Sequence, residues 1–245
     1  MAKSMNGAPQ FKVVYLAKRN PSVKAEDWPR AWRSHAAYAG QFPVIWADFS
    51  SIYYCARVLQ PSIDGALFEP PEAARDYDGV ALVSSPTADG LPREMPPEVA
   101  PKIDADELRV FSTYVRNFSF RCKEVVVHGA APEKAAVIRL LARKTGLSHE
   151  EFLGHLNGSY ADSAKRAADA SGKVVRYVHN QVLEDPPTGY RFDGVTETWF
   201  AQTEDATASF VDSALAPVAK ELGAFCDLDR SVTMLTSVIL RWPRT

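Results

Sequence analysis

Residues 176–183, RYVHNQVL, place a histidine beside an asparagine in a stretch that otherwise suits a β-strand. Because side chains alternate between the two faces of a strand, Tyr177 and His179 share one face. Glu197 and Trp199 share a face of the next predicted strand in the same way. If these strands pair antiparallel in the register that sets residue 179 against residue 197, the two side chains face each other. The sequence therefore predicts an imidazole beside a carboxylate.

Such a pair is a workable general base. The carboxylate orients the ring and favours its protonated form, whereas burial favours the neutral form. We expect His179 to act as acid or base, Glu197 to orient it, and Tyr177 to donate its phenol to a substrate oxygen. The same two side chains would serve equally as an internal ion pair, so both interpretations stay open at this point.

Two predicted helices each direct a histidine inward. Trp28, Trp32 and His35 recur at the spacing of one helical stripe, so His35 faces the core. His155 falls on the corresponding stripe in the second half of the chain. Since a histidine on an apolar face is more often a hydrogen-bonded core residue than a catalyst, both interpretations stay open here too.

The chain repeats itself. Residues 13–32 align without a gap with residues 137–156, at an offset of 124 residues. The same offset aligns residues 53–59 with residues 177–183, the strand that contains His179. The following strand matches at an offset of 115, because the first half has a longer connection. Cys55 and Leu82 match the histidine and the carboxylate, and neither can do acid–base work. The first half therefore cannot share this pair.

Each half is predicted to have the order β-α-β-β-α-β, in a first module of residues 1–130 and a second module of residues 131–245. A four-stranded sheet with helices on one side leaves its other face uncovered, and two such sheets can cover each other. We predict an α+β fold in which two tandem ferredoxin-like modules form an intramolecular dimeric α+β barrel. The side of the first strand that carries Val14 and Leu16 should meet the helices.

Proline is frequent in residues 60–76 and 85–104 of the first module, which predicts loops. These loops are either surface insertions or a lid over a pocket. Arg139 lies on the other side of its strand from Leu140, the side expected to point between the sheets. A buried arginine needs an acidic partner, the more frequent case, or a substrate anion such as a carboxylate. The residues expected to bind substrate are Trp32, Tyr53, Arg139, His155, Asn180 and Trp199.

The composition excludes several classes of protein. The 28 basic and 30 acidic residues are interspersed, which argues against nucleic acid as a partner. The N-terminus lacks an apolar signal region and no apolar run approaches about 18 residues, so we expect a cytoplasmic protein without a membrane partner. Three scattered cysteines predict reduced, structural thiols. Motifs for nucleotide loops, zinc proteases and serine hydrolases are absent from the sequence, and we expect no metal and no cofactor.

The segments KVVYLAKRNPSVKAEDWPRAWRSHAAYA, YVHNQVL, FDGVTETWF and FCDLDRSVTMLT resemble the EthD family, named for ethyl tert-butyl ether degradation, within the dimeric α+β barrel superfamily. The resemblance covers both halves, and it implies the tandem barrel and a role for His35, which matches the helix histidine of the family. It implies less about the reaction, because the superfamily includes haem enzymes, cofactor-free monooxygenases, isomerases and dehydratases.

We therefore expect a cofactor-independent acid–base enzyme of the dehydratase, decarboxylase, isomerase or other lyase type. Its substrate would be a hydrophobic aromatic or polyketide-like small molecule. The alternatives are a cofactor-free monooxygenase of an electron-rich phenol, a haem enzyme, and a binding protein without catalytic activity. The chain would act as a monomer or assemble into a homodimer.

Overall fold

The computed structural model describes residues 10–70, 76–91, 95–129, 131–185 and 188–243. The strands are β1 (Phe11–Ala17), β2 (Ser51–Arg57), β3 (Ser62–Ile63), β4 (Ala66–Leu67), β5 (Gly79–Ser85), β6 (Ser119–Gly129), β7 (Ala135–Leu141), β8 (Val174–Val182), β9 (Gly194–Phe200) and β10 (Val232–Trp242). The helices are α1 (Trp28–Ala39), α2 (Pro43–Trp46), α3 (Ala100–Val110), α4 (His149–Asn157), α5 (Ser159–Ser171), α6 (Thr203–Ala208) and α7 (Ala216–Phe225). None of the helices in these ranges is both long and apolar enough to cross a membrane.

Eight strands close into an antiparallel barrel in the order β1-β5-β2-β10-β7-β9-β8-β6. The barrel consists of two four-stranded runs, β6-β1-β5-β2 and β10-β7-β9-β8, which join edge to edge because β2 pairs with β10 and β6 pairs with β8. This closure leaves no unpaired edge in the barrel. The α+β class is confirmed, and the two runs have the same strand order.

The barrel wall separates an interior core from two outer layers of helices. Val14 and Leu16 belong to the interior core, together with Ile138 and Leu140. The prediction that this side of the first strands meets the helices is therefore wrong. Both faces of the strands are buried, so apolar character alone could not indicate which face meets the helices.

One ion pair recurs in both halves. Arg19 bonds to Asp78, and Arg143 bonds to Asp193, through both the guanidinium and the backbone. The backbone nitrogen donates to the carboxylate at 2.9 Å in each case. The two pairs are related by the offsets of 124 and 115 found in the sequence.

The proline-rich segments are only partly loops. Residues 62–67 form the short hairpin β3–β4. Helix α3 begins at Ala100, and Pro101 lies in its first turn, where the missing N–H has no helical acceptor. Residues 71–75 and 92–94 of these segments lie outside the described residues.

The three cysteines, Cys55, Cys122 and Cys226, are buried and unbridged. Burial raises the pKa of the Cys226 thiol to about 12, so this group stays protonated at neutral pH. A buried protonated thiol is a poor nucleophile. The cysteines therefore have the structural character predicted from the sequence.

Candidate functional site

His179 and Glu197 do not face each other. In the β8–β9 pairing, His179 lies opposite Thr196, and Glu197 lies opposite Val178. Opposite residues share a face, so His179 points to the helices and Glu197 points into the barrel. The predicted imidazole–carboxylate pair is therefore wrong, by a register of one residue.

The first half of the chain shows where the alignment slips. Tyr53 pairs with Leu82 there, as Val178 pairs with Glu197 in the second half. Tyr53 therefore corresponds to Val178 and not to Tyr177, so the offset in this strand is one residue more than the offset of 124 found in the sequence. A shift of one residue moves every side chain of a strand to the other face.

A polar row crosses four strands on the helix side of the second half. Thr233 on β10 pairs with Arg139 on β7, which pairs with Thr196 on β9, which pairs with His179 on β8. We call these four residues the polar row. Adjacent strands lie about 4.8 Å apart, so the Cα atoms of Arg139 and His179 are about 10 Å apart. One small molecule can touch both side chains.

The imidazole of His179 is fully buried, and neither ring nitrogen has a hydrogen-bond partner among the described residues. Its ring stacks on Tyr160 at 5.6 Å between centroids and meets the edge of Tyr177 at 5.3 Å. Burial lowers the pKa of His179 to about 3, so the ring is neutral at physiological pH. A neutral imidazole carries one donor and one acceptor, and no described residue uses either of them.

Two phenols accompany this imidazole. The hydroxyls of Tyr160 on α5 and Tyr177 on β8 are 3.0 Å apart. Burial raises the pKa of both phenols, and the positive charge of Arg139 opposes this shift in both. The hydroxyls are therefore protonated and can donate a hydrogen bond to an oxygen beside them.

Arg139 is half-buried on the helix side of β7. The prediction that it points between the sheets is wrong. Ile138 and Leu140 line the barrel interior instead of meeting the helices, so Arg139 between them faces the helices. Its guanidinium lies 6.0 Å from the ring centre of Phe210, and no carboxylate pairs with it within the part of the chain that the structure describes. The expected Asp or Glu partner is thus not found among these residues.

The corresponding layer of the first half is filled with aromatic rings. Tyr15, Ala81 and Tyr54 occupy the row positions of Arg139, Thr196 and His179. Trp32 stacks on Tyr54 at 4.4 Å with an angle of 10° between the planes, so it packs the core of the first half instead of lining the site around His179. Among the described residues, this layer has phenols but no imidazole or guanidinium at the row positions.

The two helix histidines do not join His179. His35 lies in the first half, where its Nδ1 is 2.7 Å from Asp106 on α3. This contact ties α1 to α3, so His35 is not beside His179 as a second catalytic group. His155 is exposed on α4, with its ring stacked on Phe225 at 5.6 Å. The prediction that His155 faces inward is wrong. The buried positions of α4 are Phe152 and Leu156, and His155 lies outside the stripe that they form.

The remaining predicted residues belong to a polar network inside the barrel. The amide nitrogen of Asn180 donates to Glu197 at 2.7 Å, and the indole nitrogen of Trp199 donates to the same carboxylate at 2.8 Å. Lys12 binds both Glu197, at 2.6 Å, and Glu124, at 2.5 Å. The sheet separates this network from His179.

Two further residues extend the network. Arg176 donates to Glu124 at 2.6 Å, and Tyr53 packs against Trp199 with 5.5 Å between ring centres. Burial disfavours the charged form of Lys12, but Glu124 and Glu197 outweigh this effect and raise the Lys12 pKa. Two carboxylates facing two cations make a neutral set, which satisfies charges that would otherwise be costly to bury.

None of the three histidines of the second half suits a haem, and both ring nitrogens of His149 are already bonded at 3.1 Å, to Asp193 and to the backbone carbonyl of Val182. A haem iron requires an axial side chain that faces an open space the size of a porphyrin. His179 is covered by Tyr160 and Tyr177, and His155 by Phe225. Across the described ranges no group of three metal-binding side chains comes together.

The site residues predicted from the sequence did not include Tyr160 beside His179, Thr196 in the polar row, or Lys12 and Glu124 inside the barrel. Tyr160 follows Phe152 and Leu156 at helical spacing, which was a usable signal. Lys12 shares a strand face with Val14 and Leu16, but the sequence did not indicate that this face lines the barrel interior. Thr196 gave no signal before the strand register was known.

The comparisons with known proteins agree with this fold. A protein of Fusobacterium nucleatum that is provisionally described as a monooxygenase is 6% identical with a TM-score of 0.56, covering 97% of this chain and 95% of its own. A provisionally described monooxygenase of Lactobacillus acidophilus is 9% identical with a TM-score of 0.49, covering 96% and 95%. At these identities the first likeness concerns the fold alone. No curated protein matches the chain.

The family comparison concerns the half that carries the polar row. The model of the EthD domain matches residues 144–229, which run from the turn before α4 to the turn before β10. This range includes Tyr160, Tyr177, His179 and Thr196. The resemblance expected from the sequence is confirmed for residues 144–229, which match the EthD domain model.

Proposed function

We propose that the protein is a cofactor-independent acid–base enzyme of the lyase or isomerase type, acting on a hydrophobic small molecule with a carbonyl group. The working site is the space between the sheet and the helices of the second half. His179 accepts the proton there, Tyr160 and Tyr177 face the carbonyl oxygen of the substrate, and Arg139 lies further along the polar row. The observation that carries this proposal is the fully buried imidazole of His179 with both ring nitrogens unpartnered among the described residues.

A structural histidine would look different. Buried polar atoms are nearly always hydrogen-bonded, because an unmet donor or acceptor costs about 1–3 kcal/mol. His35 follows that pattern, since Asp106 holds it at 2.7 Å. His179 does not follow it. Its ring lies beside two phenols, and the same row of strand neighbours carries an arginine with no acidic partner among the described residues, which together favour a ligand-binding role.

The step that these groups support is proton abstraction next to a carbonyl. The carbon–hydrogen bond breaks, the proton moves to a free nitrogen of His179, and the electron pair moves onto the carbonyl oxygen to give an enolate. The phenols of Tyr160 and Tyr177 stabilise this oxygen. The enolate supplies the negative charge beside the ring that favours the imidazolium. Return of the proton to carbon gives isomerisation, and its transfer to a leaving hydroxyl gives dehydration.

In this proposal the first half has a structural role and the second half holds the reaction site. The repeated Arg19–Asp78 and Arg143–Asp193 pairs support a tandem arrangement in which residues 1–130 and 131–245 are related modules of an intramolecular dimer. The first module packs its helix–sheet space with aromatic rings and closes the barrel. The second module keeps polar groups at the same positions and holds the site.

The proposal is tested with a panel of phenolic and keto compounds, with products measured by mass spectrometry. We expect His179→Ala to lose at least about 100-fold in turnover, the lower range for general acid–base catalysis. Glu197→Gln should retain turnover per folded molecule, because Glu197 faces the barrel interior. Unchanged turnover in His179→Ala would refute the site.

The alternatives are distinguished by two readouts from the same panel. Oxygen uptake in step with turnover would show a monooxygenase. Tight binding of a panel compound without any product would show a binding protein. An absorption spectrum of the purified protein with a haem band would show a haem enzyme.

A further inference from the structure

The hairpin β3–β4 and the segment that follows it form one wall of a cavity of about 510 Å³ on the outside of the barrel. The other wall is β10, where Thr233 and Leu235 face the helix side. Ligand sites usually occupy about 300–1,000 Å³. The volume therefore suits a small molecule.

The cavity lining combines apolar side chains with polar groups. Its charged side chains, Arg57 and Glu69, have opposite formal charges, so the lining carries no net charge. Leu59 and Leu67 contribute to it, and both are exposed, Leu67 by 79%. Exposed apolar side chains at the rim of a cavity are typical of a site that receives an apolar group.

Arg139 does not line this cavity, but two neighbouring contacts connect it to the lining. Thr233 lines the cavity and is the direct strand neighbour of Arg139. Phe68 also lines the cavity, and its ring packs on Phe210 at 5.2 Å, the same ring over which the Arg139 guanidinium lies. The polar row thus begins at the cavity wall and runs inward to His179.

We infer that the substrate is an amphipathic carboxylate, which places its apolar end in this cavity and its carboxylate on Arg139. A half-buried guanidinium with no acidic partner among the described residues fits a carboxylate through two parallel N–H···O bonds. The group that reacts then lies between Arg139 and His179, about 10 Å apart along the row. The inference rests on the proposed function for its reacting group, whereas its binding claim stands by itself.

The test compares the binding of para-hexylbenzoate and para-hexylbenzamide by titration calorimetry. The wild-type protein should bind the benzoate at least about tenfold more tightly, which equals about 1.4 kcal/mol. Arg139→Met should remove this preference while keeping the affinity for the benzamide. The control Arg33→Met, on the exposed face of α1, should keep the preference. Equal binding of the two probes by the wild type, or an unchanged preference in Arg139→Met, would overturn the inference.

A second variant examines the apolar end and covers the case in which Arg139→Met fails to fold. Plain benzoate should bind at least about tenfold more weakly than para-hexylbenzoate, because each buried methylene contributes about 0.8 kcal/mol. Phe68→Ser should reduce that ratio. A ratio that Phe68→Ser leaves unchanged would contradict the placement of the apolar end.

The two proposals fail separately. His179→Ala should keep both binding ratios and lose turnover. Loss of turnover without any preference for the carboxylate would refute the substrate class alone. A preserved preference with full turnover in His179→Ala would refute the acid–base role alone.

Discussion

His179 and Glu197 stand on paired strands but face opposite sides of the barrel wall. His179 lies opposite Thr196 under the helices, while Glu197 binds Lys12 inside the barrel at 2.6 Å. The sheet therefore lies between the candidate reaction site around His179 and the charge network around Glu197. We therefore expect Glu197 to affect the stability of the protein and His179 to affect its turnover.

Glu197→Gln should lower stability. The substitution leaves Lys12 facing only Glu124 in a buried site, and breaking a buried ion pair costs about 3 kcal/mol. Urea unfolding measures this loss. The free energy of unfolding of the double variant His179→Ala/Glu197→Gln should equal the sum of the separate effects, because the side chains have no shared partner. A coupling of more than about 1 kcal/mol would argue for direct contact.

Stability should depend on pH through His179. The unfolded chain binds the proton with a pKa near 6.5, and the folded chain with a pKa of about 3. Between these values the unfolded state holds more protons, so stability falls as the pH falls below 6.5. From pH 7 to pH 5 the wild type should lose about 2 kcal/mol more than His179→Phe. Chemical denaturation at pH 7 and pH 5 measures this difference. Equal losses of unfolding free energy in the two proteins would show that folding does not lower the pKa of His179.

The phenol pair should give a non-additive cycle. Tyr177→Phe leaves the Tyr160 hydroxyl buried without its partner, at a cost of about 1–3 kcal/mol, and Tyr160→Phe does the same to Tyr177. The double variant should cost less than the sum, because it removes both polar groups. Thermal or urea unfolding of the four proteins checks this. Additive losses would mean that the hydroxyls do not depend on each other.

His35→Gln should affect stability but not turnover. Burial lowers the pKa of His35, against the influence of Asp106, and the contact between these side chains joins α1 to α3. Loss of the contact should cost about 1–2 kcal/mol. Turnover per folded molecule should stay at the wild-type value. A loss of turnover without a loss of stability would return His35 to the reaction.

The repeat made the fold predictable. The ungapped match of residues 13–32 to 137–156 indicated the element order, and the two strands predicted around His179 and Glu197 are present as β8 and β9. Burial on both sides of the strands hid the inward face. Val14 and Leu16 are as apolar as a helix-facing pair would be, yet they line the barrel interior.

The site was less predictable, because it depends on register. His179 was identified as the candidate base, but a partner one residue out of register turned Glu197 away from it. Local sequence cannot fix such a register when both faces of a strand are buried, since either face meets an apolar core. Arg139 was predicted as a substrate-binding residue, but the sequence placed it on the wrong face of its strand.

The most direct test of the account follows exchange of the protons next to the carbonyl of benzoylpropionate in D₂O by proton NMR. This compound combines an aromatic ketone with a carboxylate, and its exchange requires only the first step of the proposed reaction. The account predicts that the wild type accelerates exchange, that Glu197→Gln retains the acceleration, and that His179→Ala reduces it to the rate without protein. Exchange that persists in His179→Ala and disappears in folded Glu197→Gln would contradict the account and place the reaction inside the barrel.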